Sequence, residues 1–172
     1  MKAILILFMS TIYIFGLDFS SIKTFEAKFV QTIVNPSGKV LKYNGDIFIL
    51  KPNNILWKYK TPIVKNVYIN GNFVIIDEPE LEQAIYTRTD QEINLFDMLN
   101  NAKLIEENHY ITELNNIKYN IYTKENKIDH ISYVDTLENK VNIVFTDAIY
   151  NQHIDDKLFV FNAPQEYDII RK

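Results

Sequence analysis

From Phe25 onward the chain alternates apolar and polar positions with a period of two. Phe25, Ala27 and Phe29 alternate with Glu26, Lys28 and Val30, and Leu41, Tyr43, Ile47 and Ile49 with Lys42, Asn44, Asp46 and Phe48. Ile55, Trp57 and Tyr59 alternate with Leu56, Lys58 and Lys60. Successive strand residues point to opposite faces, so this pattern predicts half-buried antiparallel strands. Turn residues separate the strands at Pro36-Ser37-Gly38, Pro52-Asn53-Asn54, Pro62 and Asn70-Gly71. The Asn70-Gly71 pair lies between apolar runs at 67–69 and 73–76, and both residues tolerate the positive φ of a two-residue hairpin turn. Further strands are expected over 117–123, 128–134, 141–149 and 158–162, for nine to eleven strands in one meander.

Two places break the alternation. Residues 18–23 predict a short helix capped by Asp18 or Ser20. Thr89-Asp90-Gln91-Glu92 has the form of a capping box, followed at helical spacing by Ile93, Phe96 and Leu99 with Leu95 and Met98 beside them. A helix of about ten residues is therefore expected between the two β halves. The fold class is mainly β (α+β): one strongly curved antiparallel sheet whose concave side is covered by short helices acting as a lid or plug.

The N-terminus is set apart from this pattern. Lys2 is followed by a nearly unbroken apolar run from Ala3 to Phe15, then by the small Gly16 and the polar Asp18. That order predicts a cleavable secretory signal over residues 1–16, with one domain from residue 17 to 172. The run is shorter than the roughly 20 residues a spanning helix needs.

Composition narrows the chemistry. The absence of cysteine removes disulfides, thiol nucleophiles, thiolate metal ligands and cysteine-linked lipidation. A net charge of −4 and scattered lysines, with Arg88 and Arg171 the only arginines, offer no electrostatic footprint for nucleic acid, and the mild acidity is expected to repel anionic membrane surfaces. His109, His130 and His153 lie more than twenty residues apart, without helical His-x-x-x-His spacing, and read as surface or hydrogen-bonding residues. The neighbours Asp77-Glu78 and Asp155-Asp156 read as solvated turn residues, because adjacent strand residues cannot address one substrate. No nucleophile elbow or phosphate-cradling glycine loop is present, so no catalytic site, metal or cofactor is expected.

Phe25, Phe29-x-Gln31, Gly38, Gly45-Asp46, Lys51-Pro52-x-x-x-x-Trp57, Pro62, Asn70-Gly71 and Glu82-Gln83 together resemble the LolA family of outer-membrane lipoprotein carriers. The run Phe159-x-Phe161-x-x-Pro164-x-x-Tyr167-Asp168 is similar to that family's closing strand and tail, while the match between Thr87 and Asp156 is one of pattern. The resemblance implies a periplasmic, monomeric carrier of acylated lipoproteins, built as an unclosed β-barrel with a lid of short helices. Its implied partners are an inner-membrane ABC exporter that loads it and an outer-membrane receptor or acceptor membrane that unloads it. The family usually carries an arginine that latches the lid; here Lys51 takes that place, with a point charge instead of a planar fork.

Alternation names the residues that would line an acyl-chain cavity. They are Phe29, Ile47, Ile49, Ile55, Trp57 and Tyr59 from the early strands, Ile69, Val74 and Ile76 around the hairpin, and Leu95, Phe96, Met98 and Leu99 from the lid. Trp57 is equally suited to cavity wall or core anchor. A receptor of the same fold, a lipid-sensing regulatory domain and a glycolipid or ester hydrolase are the alternatives. The first needs a lipidated cysteine, the second a further domain, and the third a converging nucleophile and base.

Overall fold

The computed structural model describes residues 18–90 and 92–172; the expected signal segment lies outside the described residues. Twelve strands form one sheet: β1 (Thr24–Val34), β2 (Val40–Leu50), β3 (Asn54–Thr61), β4 (Lys65–Asn70), β5 (Phe73–Glu78), β6 (Gln83–Arg88), β7 (Lys103–Glu106), β8 (His109–Leu114), β9 (Ile117–Lys124), β10 (Lys127–Val134), β11 (Lys140–Tyr150) and β12 (Asp168–Arg171). Their order is β12-β6-β5-β4-β3-β2-β1-β11-β10-β9-β8-β7. The chain thus makes two meanders, β1–β6 and β7–β11, welded by the long antiparallel β1–β11 pairing. The edge strands β7 and β12 do not pair with each other, so the barrel stays unclosed.

Several expectations change. The run at 158–162 is not a strand: Asp155 caps a 3₁₀ turn, Asp156–Phe159, and the chain then crosses the convex face. Having crossed, it returns as β12 alongside β6, so this edge pair is parallel while the rest of the sheet is antiparallel. Second, the two-residue loop of the β4–β5 hairpin is Gly71-Asn72, one step later than expected, because Asn70 pairs with Phe73. Third, the lid helix α1 is only Leu95–Asn100 and its cap is Asn94, whose side-chain oxygen accepts from the Asp97 N–H at 2.9 Å. Thr89 lies five residues before this cap, with its N–H and Oγ1 donating to the Asn72 carbonyl, and Glu92 accepts from the Asn53 side-chain amide. The short helix near Asp18 is a 3₁₀ turn, Phe19–Ser21, with Asp18 as its cap.

The main core lies on the concave side, where Phe25, Phe29, Ile47, Ile49, Ile55, Ile121, Ile143 and Phe145 of the sheet meet Phe19, Ile22, Phe96, Met98 and Leu99 of the lid. A smaller layer covers the outside of β3–β6. There Phe161 of the C-terminal crossing packs against Tyr68 (5.5 Å between ring centroids), Tyr86 (6.3 Å) and Tyr167 (6.3 Å), above the buried Leu56 and Ala84. Glu82 and Gln83, which match the family pattern, serve this closure. The Glu82 carbonyl accepts from the Asp168 N–H at 2.8 Å, and Gln83 opens the β6–β12 register.

Candidate functional site

The concave face and the lid enclose a cavity of about 240 Å³. Its walls come from both meanders: Ile47, Ile49, Ile55, Trp57 and Ile69 on one side, Leu114, Tyr119, Ile128, Ile131, Tyr133, Ile143 and Phe145 on the other. Ile22 and Phe25 line its lid end, where Ile93, Leu95, Phe96, Met98 and Leu99 form the cover. Apart from the two tyrosine hydroxyls and Trp57 N–H, every side chain in this wall is hydrocarbon or thioether. Such a surface offers shape and apolar contact to a ligand, with nothing to pair a charge.

Of the thirteen residues expected from alternation, nine line this space: Ile47, Ile49, Ile55, Trp57, Ile69, Leu95, Phe96, Met98 and Leu99. Phe29 and Tyr59 do not. Phe29 is 1% exposed and fills the room above Gly45, edge-on to Trp57 at 4.9 Å and Tyr59 at 5.2 Å, so it supports the wall from within the core. Val74 and Ile76 also fall outside the lining, on β5. The chain entering the lid is tied to the β4–β5 turn by the Ile93 N–H and the Gly71 carbonyl (3.1 Å), which sets the cavity's limit near Ile69. The residues from Leu114 to Phe145 were missed, although the alternations Tyr119/Ile121, Ile131/Tyr133 and Ile143/Phe145 are plain in the sequence. What alternation lacks is the β1–β11 weld that brings those strands opposite β2–β4.

The lid is built to be weak. A six-residue helix has no stability of its own in water. It is held by apolar packing, by the Thr112 hydroxyl donating to the Met98 carbonyl at 2.8 Å, and by Lys51. The Lys51 ammonium donates to the Ser20 carbonyl at 3.1 Å and sits 5.0 Å from the Phe96 ring centroid. One side chain on the β2–β3 turn thus touches both helical pieces of the cover. A half-exposed contact of this kind is worth about 1 kcal/mol. Lys51→Ala should therefore speed amide exchange at Met98 and Asn101 about fivefold, and Lys51→Arg should slow it, as read by hydrogen–deuterium exchange. Unchanged exchange in both variants would remove Lys51 from the latch.

Tyrosines collect at the other end of the cavity. Tyr43 and Tyr59 meet at 5.7 Å and Tyr119 and Tyr133 at 4.8 Å. Burial pushes the hydroxyls of Tyr59 and Tyr133 up to about 12, neighbouring tyrosines adding to the shift. Both groups stay neutral in the fold while the unfolded chain ionises near the ordinary tyrosine value. Their contribution is intact below about pH 10 and falls as the pH rises toward about 12. Stability by denaturant titration should therefore be flat between neutral pH and about 9.5 with respect to these groups and then drop by several kcal/mol.

Outside the cavity, His109 and His130 are brought together on the convex face, stacked on either side of Tyr122 at 4.2 Å each. Among the described residues no group of three or more His, Cys, Asp or Glu side chains is placed to hold a metal ion. Asp77 is buried and accepts from the Asn66 amide at 2.8 Å, and Asp155 caps its turn.

An unclosed, lidded β-barrel around an apolar cavity defines a container for apolar groups. Comparison with known proteins agrees in both sequence and fold. Residues 20–100 match the model of the family "Outer membrane lipoprotein carrier protein LolA". An outer-membrane lipoprotein carrier protein of Campylobacter jejuni is 38% identical over 170 residues, covering 99% of each chain. One from Wolinella succinogenes is 34% identical over 90% of each. A solved structure of an uncharacterized conserved protein from Thermus thermophilus superposes with a TM-score of 0.55 at 8% identity, over 91% of this chain and 94% of that one, a likeness of fold alone. The chain belongs to the LolA family.

Proposed function

We propose that the protein is a periplasmic carrier that shields the acyl chains of lipoproteins between the inner and the outer membrane, acting by binding rather than catalysis. In this reading residues 1–16 are removed on export and residues 17–172 do the work as a monomer. An inner-membrane ABC exporter loads it, and an outer-membrane receptor or the acceptor membrane itself unloads it. The observation that carries the reading is the apolar cavity beneath a short helical lid, in a chain of this family.

The cavity's size says how it would work. At about 240 Å³ it lies below the roughly 300–1,000 Å³ of pockets that hold drug-sized ligands, so the described arrangement is a closed one. Several acyl chains enter only when α1 and the Phe19–Ser21 turn move off the sheet. Each methylene then buried contributes about 0.8 kcal/mol. Displacing the lid offsets part of that gain, which lowers the apparent affinity by the fraction of open protein. A carrier must let go without an energy source beside it, and a lid that resists loading makes release easier. Leu95, Phe96, Met98 and Leu99 would cover the chains and the isoleucines of β2–β4 would line them, with Met98 adapting to varied tails.

A release assay tests the function. The purified protein is added to spheroplasts that hold newly made, labelled lipoprotein in the inner membrane. Labelled lipoprotein should appear in the soluble fraction bound one-to-one to the protein. Its retention in the membrane, with a compatible exporter shown to be active, would refute the carrier reading.

A further inference from the structure

The net charge of −4 conceals an uneven surface. The strand directions place the lid at one end of the barrel and the β1–β2, β3–β4 and β10–β11 turns together at the other. These three hairpins are consecutive neighbours across the sheet, β4-β3, β2-β1 and β11-β10. Each ends in apolar side chains turned to solvent: Val40 (59% exposed) and Leu41, Ile63 (51%) and Val64, and Leu137 (75%) with Val134. Buried burdens do not explain them, since none belongs to the core. Over the same three segments lie Lys39, Lys42, Lys60, Lys65 and Lys140, against only Asp135 and Glu138. Lys60 is paired with Asp46 at 2.6 Å, and Asp135 is engaged within its own turn by the Leu137 and Asn139 N–H groups. The remaining cations ring the apolar tips. The acidic β5–β6 turn, with Glu78, Glu80 and Glu82, is the next hairpin beyond β3–β4 at the same end and bounds the basic group on that side.

Behind the tips are the four tyrosines of the cavity's end. Lys65 lies over two of them, 4.6 Å from the Tyr59 ring centroid and 5.6 Å from that of Tyr43. From outside inward the order is apolar tip, lysine, tyrosine, apolar cavity. Apolar side chains that enter the acyl boundary, cations at the phosphate level and tyrosines at the polar margin are the layers by which a protein seats itself on a bilayer. A surface for a protein partner of acidic character would use the lysines but leave Val40, Ile63 and Leu137 without purpose.

We propose that this end of the barrel is a docking face for an anionic phospholipid membrane, with Val40, Ile63 and Leu137 entering the interface and Lys39, Lys42 and Lys140 engaging the lipid phosphates. The even-handed repulsion suggested by overall charge is thereby replaced by a polarity: one end of the molecule is attracted to anionic lipid and the rest is not. Docking by this end would present the tyrosine-lined end of the cavity to the bilayer, opposite the lid.

Vesicle sedimentation tests the proposal without any lipoprotein present, so its failure and that of the carrier function are separable. The purified protein, as processed on export, is spun with sucrose-loaded vesicles of phosphatidylethanolamine and phosphatidylglycerol, or of phosphatidylcholine alone. Binding is expected to the anionic vesicles at low salt and to weaken as salt is raised. Lys39→Glu with Lys140→Glu, and separately Ile63→Asn with Leu137→Asn, should each lower the partition coefficient at least about tenfold. All four positions are exposed, and an unchanged thermal melt checks the fold. Parent and variants share one N-terminus, so any attraction of that segment cancels in the comparison. No preference of the parent for anionic vesicles, or binding by both pairs of variants as strong as the parent's, would overturn the docking face.

Discussion

Leu95→Glu is expected to weaken uptake of an acyl probe about a hundredfold or more, while the protein remains folded. Leu95 is half-buried in the first turn of α1 and faces the cavity. Its helix is held by Asn94, Thr112, Lys51 and the deeper Phe96 and Leu99, none of which the change touches. A carboxylate in this wall must either lose its water beneath the bound chains or prop the lid open, and either costs at least about 3 kcal/mol of binding. Ile55→Glu would be a poorer test. Ile55 is 1% exposed, between Ile49 and Ile69 in the middle of the sheet, so a charge there unfolds the wall as well as emptying it. A cavity-filling change gives the complementary test. Ile131→Trp keeps the wall apolar but occupies its volume, and it should also reduce uptake. Displacement of a fluorescent fatty acid reads both effects. Normal binding by both variants would mean that apolar ligands go elsewhere.

Gly45→Ala should destabilise the fold by about 3 kcal/mol, lowering the melting temperature by roughly 10 °C. A Cβ built on Gly45 would stand 1.9 Å from the Lys58 carbonyl oxygen and 3.0 Å from the Phe29 ring. The first contact is with backbone, so β3 would have to move away from β2 at the register irregularity between Asn44 and Gly45. The second would tilt the ring that braces Trp57 and Tyr59. Gly45 is therefore the position where the two strands close over Phe29, and the cavity wall depends on that closure. Calorimetry of the two proteins checks the value; an unchanged melting temperature would show that the strands yield easily there. Gly38, by contrast, has open space around it, and its requirement is the positive φ of 84° in the β1–β2 turn.

The strands that alternate and are bounded by turn residues, β1 to β5 and β9 to β11, could be read from sequence. Edge strand β7 could not, because all its residues are exposed and neither face carries a pattern. The parallel β12 was hidden for a different reason. Its place depends on the chain crossing the convex face with Phe161 seated among Tyr68, Tyr86 and Tyr167, which is a tertiary event without a local periodicity. The lid illustrates competition between two local rules. Thr89 and Glu92 have the spacing of a capping box, yet hydrogen bonds across to Asn72 and Asn53 claim them first. Asn94, with Asp97 three residues on, then takes the role.

The candidate cavity was half legible. Parity along a strand tells which residues share a face, and that was enough for Ile47, Ile49, Ile55, Trp57 and Ile69. It does not tell which face of a second meander turns inward, nor that Phe29 would be absorbed by the core instead of the cavity. Lys51 was found through resemblance alone. Its contacts with Ser20 and Phe96 supply the physical reason a cation is useful at that turn.

Acyl chains held on the concave side beneath α1 would lie against the cover and away from the convex face. Photo-crosslinking in cells tests this placement most directly, with a photoreactive residue placed at Leu95 or Met98 in the cover, or at Ser132 on the convex face of β10. Lipoprotein adducts are expected at Leu95 and Met98, with the crosslink on the lipid, and none at Ser132. Adducts at Ser132 equal to those at the lid, or crosslinks only to the polypeptide of the cargo, would contradict it.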